Sequence, residues 1–471
     1  MKIVMFSINP IFPHLITGGA SKHLYHIARH LGALGHQVEI LCAQPNERLD
    51  PFTWADNVRV YPVLPFKIPF PQPYAISGAD LALIVQRLSD ALGGADRFYI
   101  HDGEFLLPDI YAHIPTIASF RDNVYPESVL GSFVGKFDDL ICVSEYSAEV
   151  IINTAGRFYP GLRQRIHQVN NGIDFKVFSP VDSSTLAEEL GVDPETETLL
   201  LHPHRPEPGK GLPETIQVVE QLVHHHGLRK VRVLVPEWIG SMVSTGETDF
   251  YNNLIHMMDE SGVRENFQFI PWMPAERMPE LYSLGDVTLC LGNIVEAFGN
   301  VAYESLACGT PSIVAKAGVH RSLLPDALID KVPYGDISAA VEGVLALLKN
   351  RRGVSEAVFD AIKKKFDFNR QVGTYAEIIT NCRKKEPVQF SHPVYSEESA
   401  YSLAPWCYLE EGQIYHDFRG RFEPAGELAG LLQDYTILTY CDAQQQGVSE
   451  EVWSSWIDRT YIVPNLEERE G

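Results

Sequence analysis

Val295-Glu-Ala-Phe-Gly-Asn-Val-Ala-Tyr-Glu-Ser-Leu-Ala-Cys-Gly-Thr-Pro-Ser-Ile-Val314 is the stretch whose reading decides the fold. Glu296 and Glu304 stand eight positions apart around a Phe298-Gly299-Asn300 turn, and an apolar helical pattern follows through Val301. A turn of this kind that opens a helix aims backbone N–H groups at one spot, because the first N–H groups of a helix lack intrahelical acceptors. Such a spot suits an anion. The two carboxylates cannot bind one; on this loop they are placed to accept hydrogen bonds from hydroxyls. A helix start that favours phosphate, flanked by two hydroxyl acceptors, is what a nucleoside diphosphate joined to a sugar requires. A capped helix with solvent-facing glutamates is the alternative that this stretch alone leaves open.

Working outward, strands and helices alternate in the manner of parallel α/β sheets. In the first half, strands are expected at Lys2–Ser7, Gln37–Ala43, Asp56–Pro62, Arg97–His101, Thr116–Phe120 and Leu140–Val143. Helices are expected at Ala20–Leu34 and Leu81–Leu92, with a Pro-rich loop over Pro62–Pro73. A polar connection at Ser179–Glu197 separates the halves. The second half has strands at Thr198–His202, Lys230–Pro236, Phe267–Ile270 and Val287–Leu291, the last leading into the two-glutamate loop. Doubly wound sheets place ligands beyond the carboxyl ends of their strands.

The 471 residues suffice for two or three domains, and 45% hydrophobic with 21% charged residues describes a soluble globular chain. No apolar run approaches a membrane span, and Met1-Lys-Ile-Val-Met-Phe-Ser-Ile-Asn reads as a buried first strand rather than a leader. Seven cysteines without a Cys-x-x-Cys pair suggest reduced thiols and a cytoplasmic setting. The net charge of −23 argues against nucleic acid and, more mildly, against an anionic membrane.

Further segments carry a resemblance: Gly18-Gly19-Ala-Ser21 after the first strand, Asp139-Leu-Ile-Cys-Val-Ser-Glu145, Asn170-Asn-Gly-Ile-Asp-Phe-Lys-Val-Phe178, and Arg205-Pro-Glu-Pro-Gly-Lys-Gly211. With the two-glutamate stretch, and in this order, they resemble the retaining glycosyltransferases of family 4, the sucrose-synthase-like group with the GT-B fold. The resemblance covers roughly residues 1–385. It implies an α/β protein of two doubly wound, Rossmann-like domains facing a cleft: an acceptor-side domain over 1–180 and a nucleotide-sugar domain over 181–365. Phe366-Asp-Phe-Asn-Arg-Gln-Val-Gly-Thr-Tyr-Ala-Glu-Ile-Ile379 matches the helix that crosses back to the first domain in this family, here near 366–385. Residues 386–471 look additional. They hold 16 acidic and 4 basic residues, near −12, and Trp406, Trp453 and Trp456, half of all the tryptophans. Such aromatic content describes a folded acidic appendage, with a strand expected at Tyr435–Tyr440.

The resemblance also implies roles. Arg205 and Lys210 contact the donor diphosphate, where fixed cations stabilise charge building on the leaving nucleotide. No metal or other cofactor is expected, and Gly209-Lys210-Gly211 is not a P-loop. Glu304 holds ribose hydroxyls and Glu296 lies near the donor sugar. Backbone N–H groups of Phe298, Gly299, Asn300 and Val301 face phosphate and sugar. Gly18 and Gly19 admit the backbone close to the diphosphate. Trp272 and Met273 line the base pocket.

On the acceptor side, Arg121 in Thr116-Ile-Ala-Ser-Phe-Arg-Asp122 stands nearest to the histidine that many relatives carry, and arginine is no base at neutral pH. Asp122, His101-Asp102 or the leaving phosphate takes the acceptor proton. Two departures border the donor site: Val235-Pro-Glu-Trp-Ile-Gly240 at a strand end, and Ala317-Gly-Val-His-Arg-Ser322 in place of the usual Gly…Pro-Glu segment. His224-His-His226 reads as surface. The expected function is retaining, metal-independent transfer of a hexose-type sugar from a nucleoside-diphosphate donor to an acceptor hydroxyl, within carbohydrate biosynthesis. A soluble acceptor is favoured over a membrane lipid; its identity, the donor base and the oligomeric state are left open. A catalytically weak partner or scaffold is the alternative. A nicotinamide enzyme lacks its Gly-x-Gly-x-x-Gly after the first strand.

Overall fold

The computed structural model describes residues 1–15, 18–68, 72–204, 207–237, 245–350 and 353–466. The chain divides into two compact units: one of residues 1–170, 369–405 and 434 onward, the other of 171–368 and 406–433.

The first unit is built on eight strands: β1 (Lys2–Ser7), β2 (Gln37–Ala43), β3 (Phe52–Ala55), β4 (Val58–Leu64), β5 (Arg97–Ile100), β6 (Thr116–Phe120), β7 (Asp139–Cys142) and β8 (Ile166–Gln168). Their order is β3-β4-β2-β1-β5-β6-β7-β8. All neighbours are parallel except the β3–β4 pair. The continuous apolar run of β1 reflects burial on both faces. Ile3 and Met5 pack with Leu24, Ile27 and Leu31 of the helix Gly18–Ala33, and Val4 and Phe6 pack with Ile84 and Leu88 of the helix Gly78–Leu92. Fully burying one such side chain stabilises by roughly 1.5–3 kcal/mol. Tyr375, Ala376 and Ile379 of the helix Phe368–Asn381 join the Ile3 layer, so this helix belongs to the first unit's core.

The second unit's sheet has six parallel strands: β9 (Thr198–Leu201), β10 (Val231–Pro236), β11 (Phe267–Ile270), β12 (Val287–Cys290), β13 (Ser312–Ala315) and β14 (Asp330–Val332). Their order is β11-β10-β9-β12-β13-β14. In each sheet the winding reverses at one pair, β1/β5 in the first unit and β9/β12 in the second. The loops leaving these pairs are where a doubly wound sheet holds ligand. They carry Gly18-Gly19 and His101-Asp102 in one unit, and Lys210 and Glu296 in the other.

Residues beyond 385 divide between the units. β15 (Tyr401–Leu403) pairs with β19 (Ile462–Pro464) in the first unit. An antiparallel meander of β16 (Cys407–Glu410), β17 (Gln413–His416) and β18 (Arg421–Pro424) belongs to the second.

The structure corrects two sequence expectations. No strand spans Tyr435–Tyr440: Leu438 makes an isolated bridge with Tyr401, and Thr439 and Asp442 form a capping box that starts the helix Tyr440–Gln445. The side-chain bonds at Thr439 satisfy N–H groups that a strand would have offered to a neighbour. The connection at 179–197 holds the helix Ser184–Leu190, ended by Gly191 in the left-handed region at φ 65°. Strand β4 also runs through Pro62 to Leu64, with a register shift against β2 between Cys42 and Ala43.

Candidate active site

In the second unit, the loops after β9 and β12 interlock. A Cβ on Gly211 would stand 2.4 Å from the Gly292 nitrogen, and one on Gly292 would stand 2.1 Å from the Gly209 oxygen. Only glycine permits this approach, and Gly211 has φ +92° besides. The Ile294 N–H donates to the Gly209 carbonyl at 3.0 Å. This contact carries Lys210 to Glu296: the ammonium donates to the carboxylate at 2.6 Å, with both side chains largely buried. Burial pushes the Glu296 carboxyl up, but the charge and hydrogen bond of Lys210 outweigh it and hold the group below the usual carboxylate range. Glu296 is therefore ionised at neutral pH.

The helix Asn300–Ala307 begins beside this pair, with Gly299 as N-cap at φ 71°. Buried bonds within the motif tie the helix down: Ser305 Oγ meets Thr288 Oγ1 at 2.7 Å and donates to the Thr310 carbonyl at 3.0 Å. They fix Glu304 on the helix's half-buried side, where its carboxylate accepts from the Tyr282 hydroxyl at 3.2 Å. Asn171 Nδ2 donates to Asn300 Oδ1 at 3.1 Å, which brings the Asn170–Phe178 segment onto the same helix start. The Phe298 ring is buried against Tyr303 and Phe366, so only its backbone is available to a ligand. Val301 follows in the helix's first turn, half-buried. Trp272, 47% exposed, and Met273 leave the edge strand β11, two strands from the β9/β12 reversal. Arg205 lies outside the described residues, as do Trp238 and Gly240.

Two histidines absent from the sequence expectation complete this half. His320 packs against Gly299, where a Cβ would meet its ring at 2.4 Å, and its Nδ1 bonds the Tyr303 hydroxyl at 3.0 Å. Burial lowers it to about 4, so it is neutral. His204 bonds Cys290 Sγ at 3.4 Å and is likewise kept neutral, by burial and then by the nearby His202 and Lys210. His320 lies within the segment 317–322 that the sequence singles out and His204 directly precedes the segment 205–211, but only packing brings them inward. His224, His225 and His226 are exposed.

In the first unit, Gly18 opens its helix at φ +74° with open space where a Cβ would stand, and Gly19 beside it is exposed. His101 is buried, with Nδ1 bonded to the Tyr99 hydroxyl and Nε2 to the Ala20 carbonyl, both at 3.1 Å. Both ring nitrogens are thus engaged, and burial and the nearby Arg121 reduce its basicity. Asp122 braces the turn that leads into the helix Pro126–Val134: Oδ1 accepts from Val124 and Tyr125 N–H groups and Oδ2 from the Ser128 hydroxyl. Arg121 donates to His23 Nδ1 at 2.7 Å and lies 3.6 Å from Asp102 Oδ1. The Gln371 amide meets the other His23 ring nitrogen at 2.7 Å.

Burial raises Asp102 and Asp122 to about 6, and raises Glu104 well above the carboxylate range with help from Asp102, Asp122 and Glu127. This group of acids, with Asp102 in the left-handed region at φ 64°, is a feature that no local pattern announces. His23 and Glu127 sit on the inner faces of helices, where sequence reads only a polar residue among apolar ones.

The family model "Glycosyltransferase Family 4" matches residues 17–177, and "Glycosyl transferases group 1" matches 187–365. The chain belongs to family 4 of the GT-B glycosyltransferases. Among curated relatives, the D-inositol 3-phosphate glycosyltransferase of Mycobacterium sp. (strain JLS) is 29% identical over 217 residues, 45% of this chain and 46% of that protein. The chain thus spans about half the length of the curated relatives it matches first. Anabaena HepE in complex with UDP and glucose has a TM-score of 0.63 at 19% identity, over 81% of this chain and 99% of that one. Sucrose-phosphate synthase from Thermosynechococcus elongatus has a TM-score of 0.62 at 15% identity, over 80% and 98%. These two likenesses bear on the fold alone. Among the described residues, no helix is long and apolar enough to cross a membrane.

Proposed function

We propose that the protein is a retaining, metal-independent glycosyltransferase that moves a sugar from a nucleoside-diphosphate-sugar to an acceptor hydroxyl. The observation that carries this reading is the Lys210–Glu296 pair at the β9/β12 reversal, beside the helix start at Asn300. Lys210, with Arg205, neutralises charge that develops on the departing diphosphate, and the N–H groups at the helix start assist. Glu304 accepts from the ribose hydroxyls, and ionised Glu296 accepts from a sugar hydroxyl. The bond from the anomeric carbon to the phosphate oxygen breaks as the acceptor oxygen bonds to that carbon on the same face. The acceptor proton passes to the leaving phosphate. That route agrees with the engaged nitrogens of His101 and the three hydrogen bonds already accepted by Asp122, which leave neither as a ready base.

UDP-glucose is the first donor to try, because the Anabaena structure holds UDP and glucose. Calorimetric binding of UDP, GDP, ADP, CMP and dTDP, each with its sugar conjugates, tests the donor site in wild type and Glu304→Ala. One nucleotide should bind selectively and at least tenfold more weakly in the variant, the scale expected when charge-assisted bonds to a ribose are lost (about 1.5–3 kcal/mol). Slow donor hydrolysis followed by NMR should release the retained anomer first, with or without chelator. No binding by any member of the panel would overturn the reading and favour a scaffold role.

A further inference from the structure

The meander β16–β18 grips the segment that departs from the family pattern. Asp417, at the end of β17, is fully buried in its side chain. Its Oδ1 accepts from the Gly318 N–H at 3.0 Å and from Arg321 Nη1 at 2.6 Å, and its Oδ2 accepts from Arg321 Nη2 at 2.7 Å. The Arg321 guanidinium also lies 5.3 Å over the Tyr408 ring of β16, and Lys316 pairs with Glu410 at 2.8 Å. Lys316, Gly318 and Arg321 are thus all held by one small sheet.

The opposite side of the same segment touches the donor loop. The Val319 N–H donates to the Glu296 carbonyl at 3.3 Å, and a Cβ on Gly318 would stand 3.1 Å from that oxygen. His320 packs on Gly299 and bonds Tyr303. The segment is one layer thick between Asp417 and Glu296. A buried bidentate pair stabilises little beyond an apolar filling of the same volume, but its fork geometry fixes orientation. It is suited to hold a backbone amide and a guanidinium in one register.

We propose that Asp417 is a positioning residue for the donor sugar: it locks residues 317–321 so that Glu296 and His320 keep their places, and the meander is a working part of the nucleotide-sugar site. This rests on the donor-site reading given above. The sugar end should depend on Asp417, whereas ribose and diphosphate, held by Glu304 and Lys210, should not.

The test compares wild type, Asp417→Asn and the milder Arg321→Lys in two measurements. Binding of UDP and of UDP-glucose (or the pair selected by the nucleotide panel) gives the first. Asp417→Asn should weaken the sugar conjugate by about ten- to a hundredfold, the scale of one lost hydrogen bond to a charged group, and leave the free diphosphate within about threefold. Arg321→Lys should fall between the two. Backbone hydrogen exchange of the ligand-free proteins gives the second: 317–321 and 296–301 should exchange faster in both variants while β9 stays protected. Equal weakening of diphosphate and conjugate, or folded variants with unchanged sugar binding, would overturn the proposal and leave the donor site standing. Failure of wild type to bind any nucleotide would overturn both readings. If Asp417→Asn does not fold, Arg321→Lys decides: unchanged exchange at 296–301 there overturns the coupling.

Discussion

Lys210 and Glu296 meet across 86 residues of sequence, and each sets the state of the other. The ammonium keeps the carboxylate ionised in a buried place, and the pair joins the loops after β9 and β12. Lys210→Met should lower donor turnover by about 10²–10³-fold, the cost of removing one fixed donor to developing negative charge. It should also destabilise the second unit by about 1–3 kcal/mol, because Glu296 is left without its charge partner. Steady-state kinetics and urea denaturation check both; a variant with normal turnover would remove Lys210 from the site. Lys210 and Glu296 are each legible in the sequence, since each lies in a motif with local backbone logic. Their pairing is not, and neither is His320 or the cluster of Asp102, Glu104, Asp122 and Glu127. Those groups come from separate loops and helices, and local spacing carries no information about which loops share a strand end.

Elements show the same division. The helix Asn300–Ala307 can be read from its glycine, its apolar face and the small residues that follow. Its start depends on Gly299, at φ +71° with His320 Cε1 only 2.4 Å from where a Cβ would be. Gly299→Ala should cost at least about 1–2 kcal/mol from the left-handed backbone alone, with the clash in addition, and should weaken nucleotide binding. Gly373 offers the opposite case: it lies inside the helix Phe368–Asn381 and a Cβ there meets nothing within 4 Å. Gly373→Ala should therefore stabilise by about 0.4–1 kcal/mol through the unfolded chain. Denaturant midpoints read both, and equal effects of the two substitutions would contradict the assignment. The expected strand at Tyr435–Tyr440 fails because capping by Thr439 and Asp442 competes locally with strand pairing, and Leu438 is buried as a single bridge.

At the scale of the molecule, buried titratable groups distribute unevenly between the units. The second unit buries four neutral histidines: His202, His204, His320 and His416, with His202 lowered to about 3 and His320 and His416 to about 4, burial being the main cause in each. Below pH 6.5 the unfolded chain binds a proton at each where the folded chain does not, so their contribution is lost as pH falls. The first unit buries His23 and His101, but also Asp102, Asp122 and Glu104 with raised values. These acids hold protons in the folded state up to about pH 6 for Asp102 and Asp122, and the unfolded chain has released them by then, so they favour folding as pH falls. The two effects oppose in the first unit, whereas the four histidines of the second all act in one direction. Acidification from pH 6.5 to about 4.5 should open β9–β14 before β1–β8; hydrogen exchange corrected for intrinsic rates reads the order, and earlier loss of β1–β8 would contradict it. Sequence by itself determined the two doubly wound sheets, the order of motifs along them and the glycine turn that opens the helix after Glu296, because strand alternation, glycine turns and helix starts are properties of contiguous residues. Tertiary structure alone decided that Asp417 grips Gly318 and Arg321, that Lys210 faces Glu296, and that residues beyond 385 divide between two units. Those outcomes depend on which surfaces bury one another, a free energy that belongs to pairs of distant segments and to neither segment alone.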